Sequence, residues 1–482
     1  MIPMLLPAPA VVLTFIGLAF LPSPARADWP QWRGPLATGS APDADPPVEW
    51  SENKNLKWKV NIPGLGSSTP IILGDRIFIT TAVPTGKKGV PAAPNSELKQ
   101  PGPAGPPPGP PPGEPGGERR DRRPEGGGPP GGGPPGRGGG GMRGEIPDEV
   151  HQFQLHCLDR ATGKTLWAQT ASEQLPHEGH HQDHSFASHS PVTDGTHVYA
   201  YFGSRGLYCY SLDGKEVWSK SLGKMQTRNA FGEGSSPLLT GDAIVINWDH
   251  EGADFIVCLD KKTGAERWRK QRDEPTSWAT PLAVEHEGKT QIIVSATNRI
   301  RSYDLATGDQ IWECGGMTTN VIPTPISANG MIYAISGFRG NAVLAIRLGR
   351  TGDLTDSDAI AWKYETKAPY VPSALLEGGR LWFYSQNAGI LSCLDALTGK
   401  VLVDAGRIEG LGGVYASPVA AAGRIYLTGR SGEGIVLKAG PTIEILASNK
   451  LDEKFEASPA LSGKDLYLRG HESLYCLSGD NK

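Results

Sequence analysis

The chain has 482 residues, with 63 Gly, 42 Pro, six Cys and a net charge of −4. Only 20% of the residues are charged, which excludes a nucleic-acid binder and a disordered acidic chain. Length alone suggests about three domains of roughly 150 residues, unless an internal period replaces that prior.

The first feature along the chain is the apolar run Val11 to Leu21, followed by Pro22, Pro24 and the small-x-small triplet Ala25-Arg26-Ala27. The run is shorter than the about 20 residues a membrane span needs. It reads as a secretory signal over residues 1–27, cleaved before Asp28, although no Lys or Arg precedes it. An uncleaved anchor is the alternative. No later segment is long and apolar enough to span a bilayer. The mature protein is therefore expected to be exported, periplasmic or extracellular, with no membrane span. Residues 28–50, beginning Asp28-Trp29-Pro30-Gln31-Trp32-Arg33, form an N-terminal leader.

From Ser68 onward two patterns alternate. In one, Ser or Thr next to Pro opens a strand, a turn and a second strand, as in STPIILGDRIFIT from Ser68 and SSPLLTGDAIVIN from Ser235. The marker prolines are Pro70, Pro191, Pro237, Pro281, Pro325, Pro372, Pro418 and Pro459. In the other, a strand ends near Asp, a Thr-Gly or Asp-Gly turn follows, and a second strand ends at Trp. Examples are CLDRATGKTLW from Cys157, CYSLDGKEVW from Cys209, CLDKKTGAERW from Cys258 and SYDLATGDQIW from Ser302. Glycine supplies the positive φ of tight hairpins. Trp58, Trp167, Trp218, Trp268, Trp312 and Trp362 offer flat surfaces for packing between sheets.

Apart from the first interval, the unit recurs every 40 to 50 residues and holds four short strands. That is the signature of a β-propeller. The last unit ends after three strands at Leu474-Tyr475-Cys476-Leu477, and Asn55 to Val60 has the form of the missing fourth. The expected fold is all-β: an eight-bladed β-propeller of four-stranded antiparallel blades over residues 51–482. N- and C-terminal strands share the last blade and remove the exposed edge. Cys157, Cys209, Cys258, Cys393 and Cys476 fall at one equivalent place in successive units. Such points on neighbouring blades lie too far apart for a bridge, so they read as small buried hydrophobes.

The long first interval contains the residues from Pro101 to Gly144, which include 18 Gly and 14 Pro. Residues 84–150 read as a disordered insertion within blade one, because this composition cannot bury enough apolar area to fold. It would emerge on the ligand face, as a tether or as a neutral expansion.

The Asp-x3-Gly-x4-Trp element, from Asp159 to Trp167 and in its copies, resembles the tryptophan-docking repeat of pyrroloquinoline-quinone-type propellers. That superfamily includes quinoprotein alcohol dehydrogenases and the propeller lipoprotein of the outer-membrane β-barrel assembly machinery. The resemblance covers about residues 50 to 480 apart from the Gly/Pro tract, and it implies a propeller fold more than any one activity.

Ligands of a propeller gather where the loops leading into the innermost strands meet the loops between the second and third strands. The second set carries Arg205, Arg299, Arg339, Arg430 and Arg469. They form either an incomplete guanidinium ring for an anionic ligand or ties within each blade. Blade three is the most unusual locally, with Arg228, Asn229, Glu233, Asp249, His250 and Glu251. Its acidic and histidine groups could bind a hard cation or serve as acid and base, or the carboxylates could pair with the arginines. Trp278, Asn320, Tyr370 and Tyr415 occupy corresponding lead-in loops and suit a sugar, a quinone or a peptide; as channel packing they are equally good. The segment Pro176 to Ser190 (PHEGHHQDHSFASHS) holds five of the eleven His. On a helix His177, His181 and His184 would share a face and could bind Zn or Cu. Gly179 and the loop position favour a solvated polar loop instead.

These readings give an exported, non-enzymatic binding or scaffold propeller, expected to be a monomer. Its partner would be a protein, or a small anionic or carbohydrate ligand, on the loop face. The alternative is a pyrroloquinoline-quinone-dependent dehydrogenase oxidising an alcohol or sugar, with the quinone held beside Ca²⁺. Against it, no two cysteines are adjacent and no haem-attachment C-x-x-C-H occurs. A hydrolase or lyase acting on polysaccharide would have only Glu233, Asp249 and Glu251 as potential carboxylates.

Overall fold

The computed structural model describes residues 28–90, 144 and 147–479. The expected signal lies outside them, as do residues 91–143 and 145–146 of the expected insertion. Hairpin-connected strands build eight antiparallel sheets arranged as an eight-bladed β-propeller. Blade one comprises Ile71–Leu73, Arg76–Lys88, Glu149–Asp159 and Thr165–Gln174; blades two to seven follow in chain order. Blade eight combines Ala460–Ser462, Asp465–Arg469 and Ser473–Ser478 with Leu56–Asn61 from the other end of the chain. Trp58 pairs with Cys476 in that closing ladder. The described residues contain no helix long and apolar enough to cross a membrane.

The Ser/Thr beside each marker has a mechanical reason. The amides of Thr69, Ser190 and Ser236 donate to the hydroxyls of Ser190, Ser236 and Thr280, each on the next blade, at 2.9–3.0 Å. Thr324, Ser373 and Ser417 donate likewise to Ser373, Ser417 and Ser458. A girdle of hydroxyls therefore satisfies buried amides around the channel, where a strand ladder cannot reach. The girdle corrects one marker. In blade six the hydroxyl is Ser373 and the residue after it is Ala374, so Pro372 sits two positions ahead of the others.

At the rim, five of the six repeat Trp cap the next blade. Trp58, Trp167, Trp218, Trp268 and Trp362 donate their indole N–H to the carbonyls of Arg160, Leu212, Lys261, Leu305 and Ala396. Their rings lie on the turn glycines; a Cβ on Gly308, at φ +73°, would come within 2.6 Å of Trp268. Cys157, Cys209, Cys258 and Cys476 are the cross-strand partners of Trp167, Trp218, Trp268 and Trp58. All six cysteines are free thiols in the core. Trp312 departs from the pattern and donates to Gln291. In the next blade the Thr351-Gly352 pair does not form the hairpin turn that would receive it. Instead Gly352–Asp353 folds back as a fifth, parallel strand on blade four, beside Trp312 and Glu313.

Residues 84–88 and 149–150, inside the bounds expected for the insertion, are strand: Pro84 pairs with His151 and Lys88 with Glu149. The leader runs along the innermost strands. Trp29 exchanges two backbone hydrogen bonds with Ile72, and Ala41 and Gly39 bond to Ala420. The buried Arg33 guanidinium donates to the carbonyls of Ala374 and Pro418 at 2.7 and 3.1 Å. These contacts tie blades one, six and seven together from inside.

Candidate functional site

The loop face is assembled from the lead-in loops and the loops between second and third strands. One lead-in loop crosses the channel mouth. Residues 176–190, leading into blade two, form no helix, so the register that would align His177, His181 and His184 is absent. The His177 ring meets the Met225 carbonyl through Nε2 at 2.6 Å, and the His181 amide donates to the Phe231 carbonyl. The loop then reaches blade seven. There Asp183 accepts from Arg430 at 2.5 Å and from the Tyr415 hydroxyl at 3.0 Å. Arg430 also pairs with Glu456 at 2.8 Å and lies 4.2 Å from the Tyr415 ring centroid. Gly144, where the chain returns from the insertion, donates to the Asn229 carbonyl and is buried against His180. Gly144 therefore lies against the lead-in loops of blades two and three.

The acidic residues of blade three are dispersed rather than gathered. Glu233 accepts from the Ser204 amide and hydroxyl at 2.6 Å and pairs with Arg205 at 3.1 Å, both side chains buried. Asp249 is fully buried against Arg272 at 2.6 Å and also accepts from Ser277 and Asn247. Glu251 accepts from the Thr276 amide and hydroxyl. His250 accepts from the Gln226 amide at 3.2 Å. Sequence reasoning singled out Glu233 but missed Glu178. His177, Glu178 and Glu233 bring their ligand atoms within 4.8 Å of one another. Burial, with the Glu233 charge adding to it, pushes the Glu178 carboxyl up to about 7, although Thr227 donates to it twice. Burial and the Arg205 charge both push the His177 imidazole down. With Arg205 already on Glu233, the group is a self-neutralised cluster, and the space among Glu178, Arg205 and Glu233 is too tight for a water molecule.

The five loop arginines do not converge. Arg205 is buried over Phe153 and Phe186. Arg469 is 1% exposed in the seam beside Gly66, and none of its three guanidinium nitrogens meets a partner. Burial brings its pKa down to about 10. Arg299 is partly exposed and reaches Thr355 and Glu313 at 3.3 and 3.8 Å. Arg339 is exposed beside Phe338. Trp278 donates its indole N–H to the Gly232 carbonyl at 2.7 Å, as channel packing. An open cleft of about 220 Å³ lies to one side of the mouth, between Leu65, Pro84, His151, His180 and Phe186.

With this geometry in hand, the family model described as outer membrane protein assembly factor BamB matches residues 151–405, more than half of the chain. The chain belongs to that family. No curated protein matches it. Among solved structures it is similar to quinohemoprotein alcohol dehydrogenase from Comamonas testosteroni, with a TM-score of 0.55 and 10% identity. That match covers 95% of this chain and 81% of the dehydrogenase. It is also similar to BamB from Moraxella catarrhalis, with a TM-score of 0.48 and 15% identity, over 68% of this chain and 91% of that one. At such identities the likeness is one of fold alone. Within this BamB-family propeller, Asp183, Glu178, Arg272 and Phe338 are the loop-face residues that sequence reasoning passed over. Asp183 stood in the His-rich segment and Phe338 beside Arg339, but nothing local marks either for a contact on another blade.

Proposed function

We propose that the protein is an exported, non-enzymatic β-propeller, a monomer, that binds a protein partner through its loop face. The observation that carries this reading is the crossing of the channel mouth, with residue 183 of the blade-two loop held on blade seven by Tyr415 and Arg430. A mouth closed in this way leaves the outer surface of the loops, rather than the channel, as the working face. Membership of a family described as an outer membrane assembly factor supports both a protein partner and export.

The residues do not fit pyrroloquinoline quinone with calcium. The carboxylates available for the ion are committed: Glu233 to Arg205 and Ser204, Asp249 to Arg272 and Ser277, Glu251 to Thr276. The space beside Glu233 does not admit water, and the 220 Å³ cleft contains no carboxylate. Titration of the purified mature chain with the quinone and CaCl₂ tests the reading, followed by quinone absorbance and dye-linked alcohol oxidation. The expected result is no bound quinone and no turnover. A saturable quinone spectrum accompanied by turnover would overturn it.

A further inference from the structure

Several arginines on or beside the loop face are ion-paired within the fold: Arg205 by Glu233, Arg430 by Asp183 and Glu456, Arg301 by Glu274 and Glu313, while Arg469 is buried. Arg228 and Arg339 are different. Among the described residues neither guanidinium has an ion-pair or hydrogen-bond partner, and both are at least partly exposed. Arg339 borders a flat aromatic ledge. Phe338, from the second-to-third-strand loop of blade five, stacks on Tyr370, from the lead-in loop of blade six, with centroids 4.6 Å apart and planes 25° apart. The Arg339 guanidinium lies 5.3 Å from the Phe338 centroid. Arg228 comes from the blade-three loop across the channel, its amide fixed on the Thr276 hydroxyl at 2.9 Å. Burial raises the Tyr370 phenol, and a hydrogen bond from the Asn320 side chain and then the Arg228 charge oppose that rise.

Two further observations point to an occupant. Asn320, whose side chain meets the Tyr370 hydroxyl, is 4% exposed and its amide oxygen meets no donor. Arg339 itself is held at φ +53° and Asn320 at +57°. A left-handed backbone is disfavoured for a side chain as long as arginine, and such conformations concentrate where a ligand is held. Two discrete cations on the face that carries the aromatic ledge suit separate carboxylates joined by flat groups. They do not form the broad cationic field that a polyanion or a lipid surface requires.

We infer that Arg228, Arg339, Phe338, Tyr370 and Asn320 form a docking patch for an acidic peptide segment of the protein partner, one that carries aromatic side chains between its carboxylates. The guanidinium groups take the carboxylates, the Phe338–Tyr370 ledge takes a ring or a peptide plane, and the Asn320 amide accepts a main-chain N–H. This inference rests on the reading of the protein as a protein binder and names the chemistry of the partner.

The test uses the full mature chain and fluorescence anisotropy. The probe is a fluorescein-labelled peptide of alternating Asp and Tyr, with an Asn/Tyr peptide, heparin and anionic phosphatidylserine vesicles as competing ligands. The Asp/Tyr peptide should bind at least about tenfold more tightly than the Asn/Tyr peptide. Arg228→Gln with Arg339→Gln should abolish that preference, and Phe338→Leu should weaken binding to both peptides. Arg339→Gly supplies a second variant that relieves the backbone while removing the cation; it should fold as well as the parent and lose about tenfold in affinity. Equal binding of both peptides, an unchanged affinity in Arg339→Gly, or a preference for heparin or vesicles would overturn the inference. Pyrroloquinoline quinone with Ca²⁺ is titrated in parallel. Quinone binding there defeats the binder reading itself, whereas silence there together with no peptide preference defeats only this patch.

Discussion

Asp183 and Arg430 lie 247 residues apart in sequence and 2.5 Å apart in space. The contact joins the lead-in loop of blade two to blade seven, three blades round the ring. A loop that would otherwise extend into solvent becomes a strap across the channel. Its flanks are held separately, by Thr227 on Glu178, the Phe231 carbonyl on His181 and the buried Ala187, so the latch fixes the tip of the strap around Asp183.

Asp183→Ala should therefore loosen residues 176–190 without unfolding the ring. The pair is partly exposed, at 33% and 22% of side-chain surface, which limits its worth to about 1 kcal/mol. Hydrogen exchange should quicken in the strap and stay unchanged in the blade cores. The pH dependence has a definite sign. Burial raises the Asp183 carboxyl, but Arg430 and Tyr415 more than offset it, so it titrates below its ordinary value. Its stabilisation is then fully present above the unfolded value of about 3.9 and is lost as pH falls through the folded one. Strap protection factors, corrected for intrinsic exchange, that stay constant from about pH 6 down through the acid range below the ordinary carboxylate value would contradict this assignment.

The hydroxyl girdle offers a contrast between two similar substitutions. Ser236→Ala removes the acceptor for the buried Ser190 amide and should cost about 1–3 kcal/mol. Thr324→Val removes a hydroxyl that is buried and meets no partner, while the Thr324 amide keeps its bond to Ser373. It should be neutral or stabilising in a denaturant melt. Equal costs at the two sites would mean that the girdle is not what satisfies these amides.

At the rim, Trp268→Ala should cost about 3–5 kcal/mol, because it empties a buried ring site and orphans the Leu305 carbonyl. Gly308→Ala should be costly for two reasons, the clash with that ring and the positive φ. Only the first depends on Trp268. In a double-mutant cycle by chemical denaturation the second change should therefore cost less in the Trp268→Ala background. Additive costs would show that the ring and the glycine do not act on one another.

How much of this was legible beforehand follows from which contacts are local. The Thr-Gly turns, the alternating strands and the Ser/Thr-Pro markers are written within about ten residues each, and their repetition announces eight blades. The closing strand was also readable, because a three-stranded end and a lone Trp-bearing strand are complementary. Pro372 misled for the converse reason: a proline is a local sign, whereas the register of the blade is set by Ser373 and its neighbours on other blades. The loop-face arginines were equally visible, yet one is paired in its own seam, one is buried with no partner and one is exposed.

The sequence by itself therefore determined the periodic part of this protein, since a propeller blade is a local hairpin unit copied eight times. Only the tertiary structure decided how the aperiodic segments lie: the strap on Arg430, the leader along the channel, the fifth strand beside Trp312, and Phe338 on Tyr370. Those contacts form when the ring closes and brings distant blades to one mouth. No spacing along the chain encodes a distance that exists only across the ring.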